Sequence, residues 1–286
     1  MRLIQFKEKG EIRLGILLEN GVVDVAKESP TAPRTMLEAM ALGGDLIPML
    51  TKIAENCTDL IPESSIEYAA PVTAPEKILC IGLNYKKHVM ESGKWDKLPE
   101  YPVVFGKFNN TLIGHKAPVK RCKASAKHDY EAEITIVIGR ECKEVSKEEA
   151  LDYVFGYTLA NDISARDLQS RTPQWTLGKG CDTFCPVGPC IATADAVPHD
   201  GMHMIGYKNG EVRQEGDSND LIFDIPTLVS YISQAMTLRP GDLILTGTPA
   251  GVIGGRPAGQ QDWLAPGDTV SVYVEQIGTL KNPIED

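Results

Sequence analysis

Short apolar segments separated by glycine, proline and polar turns run through most of the chain, and this pattern predicts a β-rich structure with few helices. Near the N-terminus, strands are predicted over residues 1–6, 12–19 and 22–25, with Asn20-Gly21 as a two-residue hairpin turn. Apolar residues at helical spacing then predict a helix over 35–55, interrupted by two glycines.

Prolines at positions 62, 71 and 75 follow this helix, so we place a domain boundary near residue 73. The expected division is a small β-rich N-terminal domain over residues 1–72 and a larger domain over 73–286. No group of catalytic side chains is visible before the boundary. We therefore expect the first domain to serve in packing or in supporting a dimer.

A segment ending in a run of β-branched residues, 128–139, organises the larger domain and predicts one continuous strand. Alternate side chains of a strand share a face, so Glu131 and Glu133 should project together. Asp162 closes a second predicted strand, from which it can meet both glutamates across a sheet. Three carboxylates without His or Cys suit Mg²⁺ or Mn²⁺, with Ca²⁺ as a further candidate, better than zinc. The alternative is an ordinary solvated strand face.

His88 and Glu91 lie three positions apart in a short segment, 84–92, that is predicted to be helical or mobile. One helical turn would place them on the same side. Histidine is a natural general base near neutral pH, and a neighbouring carboxylate orients it. The pair is a candidate for proton transfer, although a solvated helix face would account for the same spacing.

Lys107, Arg166 and Gln169 are candidates for binding an anionic substrate. Lys107 ends a predicted strand, where an amine either reaches solvent or receives a carboxylate. Arg166 and Gln169 share a face of a short helix predicted over 164–171, and their side chains suit carboxylate and carbonyl groups. Arg166 could instead form an ion pair with Asp167 or another acid.

Two glycine-rich loops supply further candidates. Lys179 lies between Gly178 and Gly180 in a predicted loop from which its amine could reach a ligand without steric obstruction. Thr248 lies in the loop 247–251, which offers backbone N–H groups and a hydroxyl to an anion. A tight turn forced by a proline would explain the glycines of that loop but not the threonine.

The remaining pattern of the larger domain predicts helices, strands and turns that build the fold. Ser146 and Glu149 form a capping box that should open a helix reaching residue 154. Other predicted elements are a hairpin centred on residues 209–210, a helix over 226–236, and strands over 243–245 and 270–274. Among the histidines, His128 could orient a carboxylate or a water near the acidic strand, and three others are expected to be ordinary surface or structural residues (His115, His199 and His203).

Composition narrows the class of protein. The chain has 286 residues, 42% of them hydrophobic, so it can bury a substantial core. A net charge of −10 without a basic stripe argues against a nucleic-acid partner. No apolar run is long enough to span a membrane and no signal segment is visible, so we expect a cytosolic protein. Seven cysteines without a C-x-x-C pair argue against a disulfide framework.

Five segments in sequence order resemble the fumarylacetoacetate hydrolase family: residues 77–85 (KILCIGLNY), 129–139 (DYEAEITIVIG), 161–169 (NDISARDLQ), 177–179 (LGK) and 246–252 (TGTPAGV). The resemblance implies an α+β, β-rich catalytic domain built as a mixed β-roll, and a homodimer. It also implies that His88 and Glu91 lie on a lid that activates water, that Lys179 belongs to the active site, and that Lys107 receives a carboxylate.

The leading hypothesis is therefore a hydrolase that cleaves a C–C bond in acylpyruvates. The metal would chelate the 2-oxo carboxylate end and stabilise the leaving enolate, while His88, oriented by Glu91, would deprotonate water. Lys179, Arg166, Gln169 and Thr248 would hold the substrate, with help from Lys107.

Decarboxylation or keto–enol tautomerisation of oxaloacetate is the main alternative, because residues 182–186 resemble the oxaloacetate branch of the family. Isomerisation of an unsaturated dioic acid in aromatic catabolism is a third branch. If the protein is not an enzyme, the alternative is a metal-stabilised binding protein with vestigial activity. Retention of the general base His88 together with Glu91 argues against this alternative. The distal end of the substrate should contact residues 93–100 and 254–262.

Overall fold

The computed structural model describes residues 1–91 and 97–286. Its strands are β1 Arg2–Glu8, β2 Glu11–Leu18, β3 Gly21–Asp24, β4 Glu67–Tyr68, β5 Ile78–Gly82, β6 Val103–Lys107, β7 Leu112–Ile113, β8 Val119–Lys120, β9 His128–Asp129, β10 Ala132–Ile138, β11 Val154–Asn161, β12 Ser164–Ala165, β13 Cys185–Thr193, β14 His203–Lys208, β15 Glu211–Asp217, β16 Leu243–Leu245, β17 Thr269–Val274 and β18 Gly278–Glu285. Its α-helices are α1 Val25–Glu28, α2 Met36–Ala41, α3 Leu46–Asn56, α4 Lys86–Glu91, α5 Arg166–Gln169, α6 Thr176–Lys179 and α7 Ile225–Ala235. The expected β-rich α+β class is confirmed.

Two mixed sheets form the body of the molecule. The larger has the order β3-β2-β1-β13-β11-β10-β16-β5-β6, and the smaller has the order β15-β14-β17-β18-β8. The largest apolar cluster lies between them, where Ile134 and Ile136 of β10 meet Met204 and Val272. Val137, on the opposite face of β10, packs in a second cluster that includes α2 and α3. Because both faces of β10 are covered, its sequence is a continuous run of buried residues.

The N-terminal strands belong to the larger sheet. β1 pairs with β13 through Arg2 opposite Ala192 and Leu3 opposite Ile191. β2 and β3 then extend the sheet, joined by the predicted hairpin turn. The helix expected over 35–55 is present as α2 and α3, separated by a 3₁₀ turn at the two glycines. The domain boundary near residue 73 stays a prediction, although the hydrogen bonding of the sheet crosses it.

Three expected elements differ in the structure, and one strand was not predicted. The strand over 128–139 is interrupted between β9 and β10, and the capping box precedes only a 3₁₀ turn, Ala150–Tyr153, although Ser146 and Glu149 do bond to each other. The helix over 164–171 begins as β12 and becomes α5. β13 was missed because its prolines and glycine argue against a strand; the first of those prolines lies where β13 pairs with the short β7.

Strand pairing brings one edge of the larger sheet together as a site. The start of β10 pairs with the end of β11, with Ala132 opposite Asn161. β16 runs parallel to β5, with Leu245 opposite Cys80, so the loops after both strands emerge at the same edge. Asn84 ties these loops to each other, because its side-chain amide donates to the carbonyls of Thr246 (2.7 Å) and Phe223 (3.1 Å).

His115, expected to be structural, links distant parts of the fold. It is 8% exposed, its Nδ1 accepts the backbone N–H of Lys281 at 3.0 Å, and its ring meets the edge of Tyr68 at 4.8 Å. Burial, helped by the charge of Lys116, lowers the pKa of His115 to about 4. The neutral ring is therefore the form that the fold accepts.

This lowered pKa predicts a loss of stability in mild acid. An unfolded histidine titrates near 6.5, so below that pH the unfolded chain binds a proton that the folded chain refuses, until the pH reaches about 4. The contribution is complete above pH 6.5, and about 2 kcal/mol of it should be lost by pH 5. Urea unfolding at pH 7 and pH 5 measures this. His115→Asn should be less stable at pH 7 but should show a smaller change between the two pH values. His203→Asn, at an exposed position, should behave like the unsubstituted protein; equal pH dependence in all three would contradict the assignment.

Candidate active site

Three acidic side chains converge at the edge of the larger sheet. One oxygen of each of Glu131, Glu133 and Asp162 lies within 4.8 Å of the other two, and all three residues are buried. Glu131 immediately precedes β10, Glu133 is its second residue, and Asp162 follows β11. The structure therefore brings together the three carboxylates that the sequence singled out.

Backbone hydrogen bonds fix this convergence. The N–H of Asp162 donates to the carbonyl of Glu131 at 2.9 Å, and the N–H of Glu131 donates to the side-chain oxygen of Asn161 at 2.9 Å. Glu133 accepts the N–H of Gly247 at 2.7 Å. Gly247 has φ +105°, and a Cβ there would lie 2.8 Å from the Cβ of Asn84, so glycine is required for this donor to reach the carboxylate.

Two buried lysines bind the acidic group. Lys179 Nζ lies 2.6 Å from an oxygen of Glu131 and 2.6 Å from one of Asp162, and Lys107 Nζ lies 2.5 Å from the other oxygen of Asp162. The expectation that Lys179 reaches freely from a loop is wrong. It ends helix α6, and Gly178 lets that helix pack against α5, because a Cβ there would lie 2.5 Å from Gln169. Lys107 does receive a carboxylate, but from the protein.

Arg166 connects the acidic group to a fourth buried carboxylate. Its Nε donates to Asp129 at 2.8 Å, its Nη2 lies 2.7 Å from Glu131, and its Nη1 donates to Gln169 at 3.0 Å. The ion-pair alternative is thus realised with these acids rather than with Asp167. Asp129 also accepts the N–H groups of Ile253 and Gly254, each at 2.8 Å, and so holds the loop after β16.

The surroundings of Glu131 and Glu133 shift the pKa values of these two glutamates in opposite directions. Burial opposes ionisation of Glu131, but the charges of Arg166 and Lys179 outweigh it and lower its pKa. Burial and the nearby charges of Asp162 and Glu131 raise the pKa of Glu133. Within residues 1–91 and 97–286, Glu133 has no ion pair. A buried carboxylate without a cation, next to two other carboxylates, fits a site for a hard divalent ion with oxygen ligands.

His88 and Glu91 form the expected pair on α4. His88 Nδ1 lies 2.6 Å from Glu91 Oε1, and Glu91 Oε2 accepts the N–H of Gly251 at 2.9 Å. Because the carboxylate is an acceptor, the neutral form of the ring carries its proton on Nδ1 and its lone pair on Nε2. In the described part of the chain, Nε2 has no hydrogen-bond partner. The histidine is therefore oriented with a basic nitrogen available.

One cavity of about 470 Å³ joins these groups. Its walls include eight of the ten residues that the sequence singled out: His88, Glu91, Glu131, Glu133, Arg166, Gln169, Lys179 and Thr248. Lys107 and Asp162 lie behind this lining. The Thr248 hydroxyl already donates to the carbonyl of Ala132 at 2.9 Å and accepts from Gln214 Nε2 at 2.7 Å, so its substrate role stays a prediction.

Sequence reasoning missed Asp129, Asn84 and Gln214. Asp129 had a readable signal, because it continues the alternation of Glu131 and Glu133 by two residues. Gln214 comes from a distant hairpin, and no local pattern marks it. His128 does not contact the carboxylates; its Nε2 lies 3.2 Å from the carbonyl of Cys122. Of the expected lid, residues 92–96 lie outside the described residues.

Comparisons with known proteins agree with this geometry. The sequence profile described as "Fumarylacetoacetate (FAA) hydrolase C-terminal" matches residues 77–285. The mitochondrial oxaloacetate tautomerase fahd2 of Xenopus laevis is 36% identical, covering 99% of this chain and 90% of its own. Oxaloacetate tautomerase YisK of Bacillus subtilis is 39% identical, covering 90% of this chain and 88% of its own.

A solved structure matches the whole fold. The fumarylacetoacetate hydrolase of Exiguobacterium antarcticum is 32% identical with a TM-score of 0.83, and the match covers 100% of this chain and 99% of that one. Among the described residues, no helix is both long and apolar enough to cross a membrane. The profile matches residues 77–285 and these relatives match 90% or more of the chain, which therefore belongs to the fumarylacetoacetate hydrolase family.

Proposed function

We propose that this protein interconverts the keto and enol forms of oxaloacetate by moving a proton at the carbon beside the 2-oxo group. The observation that carries the proposal is a base with an available lone pair, His88, in the same cavity as a buried carboxylate triad. Two similar relatives are named oxaloacetate tautomerases, which supports this choice of substrate.

Glu131, Glu133 and Asp162 would hold the divalent ion. Such an ion, when bound, would supply a Lewis acid that polarises the 2-oxo carbonyl and stabilises negative charge on its oxygen. Four buried carboxylates, including Asp129, face two buried lysines and the partly buried Arg166, so the group would carry one excess negative charge with all seven side chains ionised and no metal bound. Mg²⁺ or Mn²⁺ would reverse the sign and favour an anionic substrate.

His88 would carry the proton. In the direction of enol formation, Nε2 takes a proton from C3 of the substrate, and Glu91 stabilises the imidazolium through its bond to Nδ1. The proton returns to the substrate oxygen, directly or through water, so the reaction conserves all atoms. Gly251 fixes Glu91 through its N–H and thereby fixes the direction of the ring.

Hydrolysis of an acylpyruvate, the leading hypothesis from the sequence, is the second candidate. It uses the same groups but requires His88 to deprotonate a water that attacks the distal carbonyl. The likeness to a fumarylacetoacetate hydrolase over the whole chain favours it. Decarboxylation of oxaloacetate and isomerisation of an unsaturated dioic acid would need the same metal and a different fate of the enolate. The cytosolic location stays a prediction, since one relative is mitochondrial by name.

A substrate panel separates these reactions. With Mg²⁺ or Mn²⁺, we expect rapid loss of the ultraviolet absorbance of enol-oxaloacetate, with no release of carbon dioxide and no cleavage of acetylpyruvate. Acetylpyruvate cleavage without tautomerisation would establish the hydrolase instead. A boiled sample and a sample treated with a chelator control for the spontaneous reaction. Equal rates with and without the chelator would show that the reaction does not depend on a metal.

Replacing the proposed base tests its role. His88→Ala should lower kcat about 100-fold or more, because general-base catalysis typically contributes that much, while Mn²⁺ affinity stays unchanged. Lys87→Ala, at an exposed position of the same helix, is the matched control and should retain full activity. A wild-type rate in His88→Ala would remove this residue as the base.

Replacing one proposed ligand tests the metal site independently of turnover. Glu133→Gln keeps the side-chain shape but removes its charge, so the Mn²⁺ dissociation constant measured by calorimetry should rise about 100-fold or more, since even outer partners of ligands contribute 10- to 100-fold. The metal-free variant should unfold at the same or a higher temperature, because repulsion with Asp162 and Glu131 is relieved. Glu19→Gln, at an exposed position, is the control; unchanged affinity in Glu133→Gln would refute the site.

A further inference from the structure

Part of the cavity lining, separate from the carboxylates and the histidine, has no role in the reaction steps described above. It is formed by Lys127 and by Trp263, which comes from the loop after β16. The Lys127 ammonium lies over the Trp263 ring, 5.8 Å from its centroid. This part of the lining therefore offers a positive charge next to an apolar surface, in the same cavity as the carboxylate triad.

Lys127 differs from the other cations of the lining. Arg166 and Lys179 form ion pairs with buried carboxylates, so their positive charges are already compensated within the protein. Lys127 is exposed, and its amine forms no ion pair with any acid in the described residues. It is thus the lining cation whose charge an incoming carboxylate could neutralise.

The backbone that presents Lys127 is held in place. Asp167 accepts the Ser125 hydroxyl at 2.5 Å and the N–H of Ala126 at 3.0 Å, and the N–H of Lys127 itself donates to the Ser125 hydroxyl at 3.1 Å. The carbonyl of Lys127 accepts the N–H of Arg166 at 2.9 Å. The turn carrying the lysine is therefore bonded directly to the segment that carries the active-site arginine.

The Trp263 side of this part of the lining is also fixed. Its neighbour Asp262 forms ion pairs with Arg256 at 2.8 Å, Arg213 at 3.0 Å and Lys208 at 3.3 Å. On the other side, the N–H of Leu264 donates to the carbonyl of His128 at 2.9 Å. These contacts fix the backbone on both sides of Trp263, whose indole ring lies beneath the Lys127 ammonium.

We propose that Lys127, supported by Trp263, binds the distal carboxylate of a 2-oxo dicarboxylate and so selects such substrates over 2-oxo acids with a neutral distal end. This rests on the proposed function, because it assumes that the 2-oxo end lies at the carboxylate triad. Lys127 acts here as a substrate-binding residue and takes no part in proton transfer. Asp167 also lines the cavity, and its two oxygens accept hydrogen bonds from the Ser125 hydroxyl and from the N–H groups of Ala126 and Leu168.

The test compares ligands that differ at the distal end. Lys127→Met keeps the stem that packs on Trp263 but removes the charge. It should raise KM for oxaloacetate about 5- to 20-fold with little change in kcat, as expected for loss of a partly exposed charge-assisted hydrogen bond. Lys127→Arg should restore most of the affinity. Lys123→Met, an exposed lysine outside the cavity lining, should behave like the unsubstituted enzyme.

A binding measurement makes the result independent of turnover. With Mn²⁺ present, 3,3-difluoro-oxaloacetate, which cannot enolise, should bind Lys127→Met about 5- to 20-fold more weakly, whereas oxalate, which lacks a distal carboxylate, should bind equally well. Equal weakening of both ligands, or of neither, would overturn the subsite. If the unsubstituted protein fails to tautomerise oxaloacetate but the two ligands still separate in binding, the proposed function fails and the subsite stands.

Discussion

The site depends on the balance between four buried carboxylates and three cations, two buried lysines and the partly buried Arg166, at one edge of a sheet. An isolated charge of either sign would be costly to bury there, and the pairs offset that cost only while every member is present. Asp162 illustrates the dependence, since its two oxygens contact different lysines, one from β6 and one from α6. Elements far apart in the sequence are thus held together by the same charges that shape the cavity.

Backbone pairing decides where those charges meet. The register of β10 against β11 brings Glu131 beside Asp162, and the pairing of β10 with β16 delivers the Gly247 N–H to Glu133. A shift of one residue in β10 would turn Glu133 to the opposite face and remove the convergence. The apolar alternation of Ile134, Ile136 and Ile138 against the core prevents that shift, so packing in the interior maintains geometry at the edge.

Much of this arrangement could be read from the sequence. Alternation in a β-branched strand placed the glutamates together, helical spacing paired His88 with Glu91, and turn residues located several hairpins. Burial of Lys107 and Lys179 could not be read, because it follows from acids that arrive through sheet pairing rather than from local pattern. Local pattern also gave no sign of the strand break at Tyr130 and Glu131. Near the break, the N–H groups of Glu131 and Ala132 donate to side-chain oxygens of Asn161 and Gln214 instead of to the backbone of a neighbouring strand. The sequence pattern did not predict β13, because this strand is stabilised by pairing with β1 and β11 despite its low local β-propensity.

Residues 247–254, in the first part of the loop after β16, contact the acidic side chains of the site through their main chain. The peptide N–H groups at Gly247, Gly251, Ile253 and Gly254 reach Glu133, Glu91 and Asp129. One short segment therefore contacts the proposed metal ligand Glu133, the His88 partner Glu91 and the Arg166 partner Asp129. A movement of this segment would displace all three side chains together. Since these contacts come from peptide groups, they depend on the backbone path of residues 247–254, which the positive φ angles of Gly247 and Gly251 make possible.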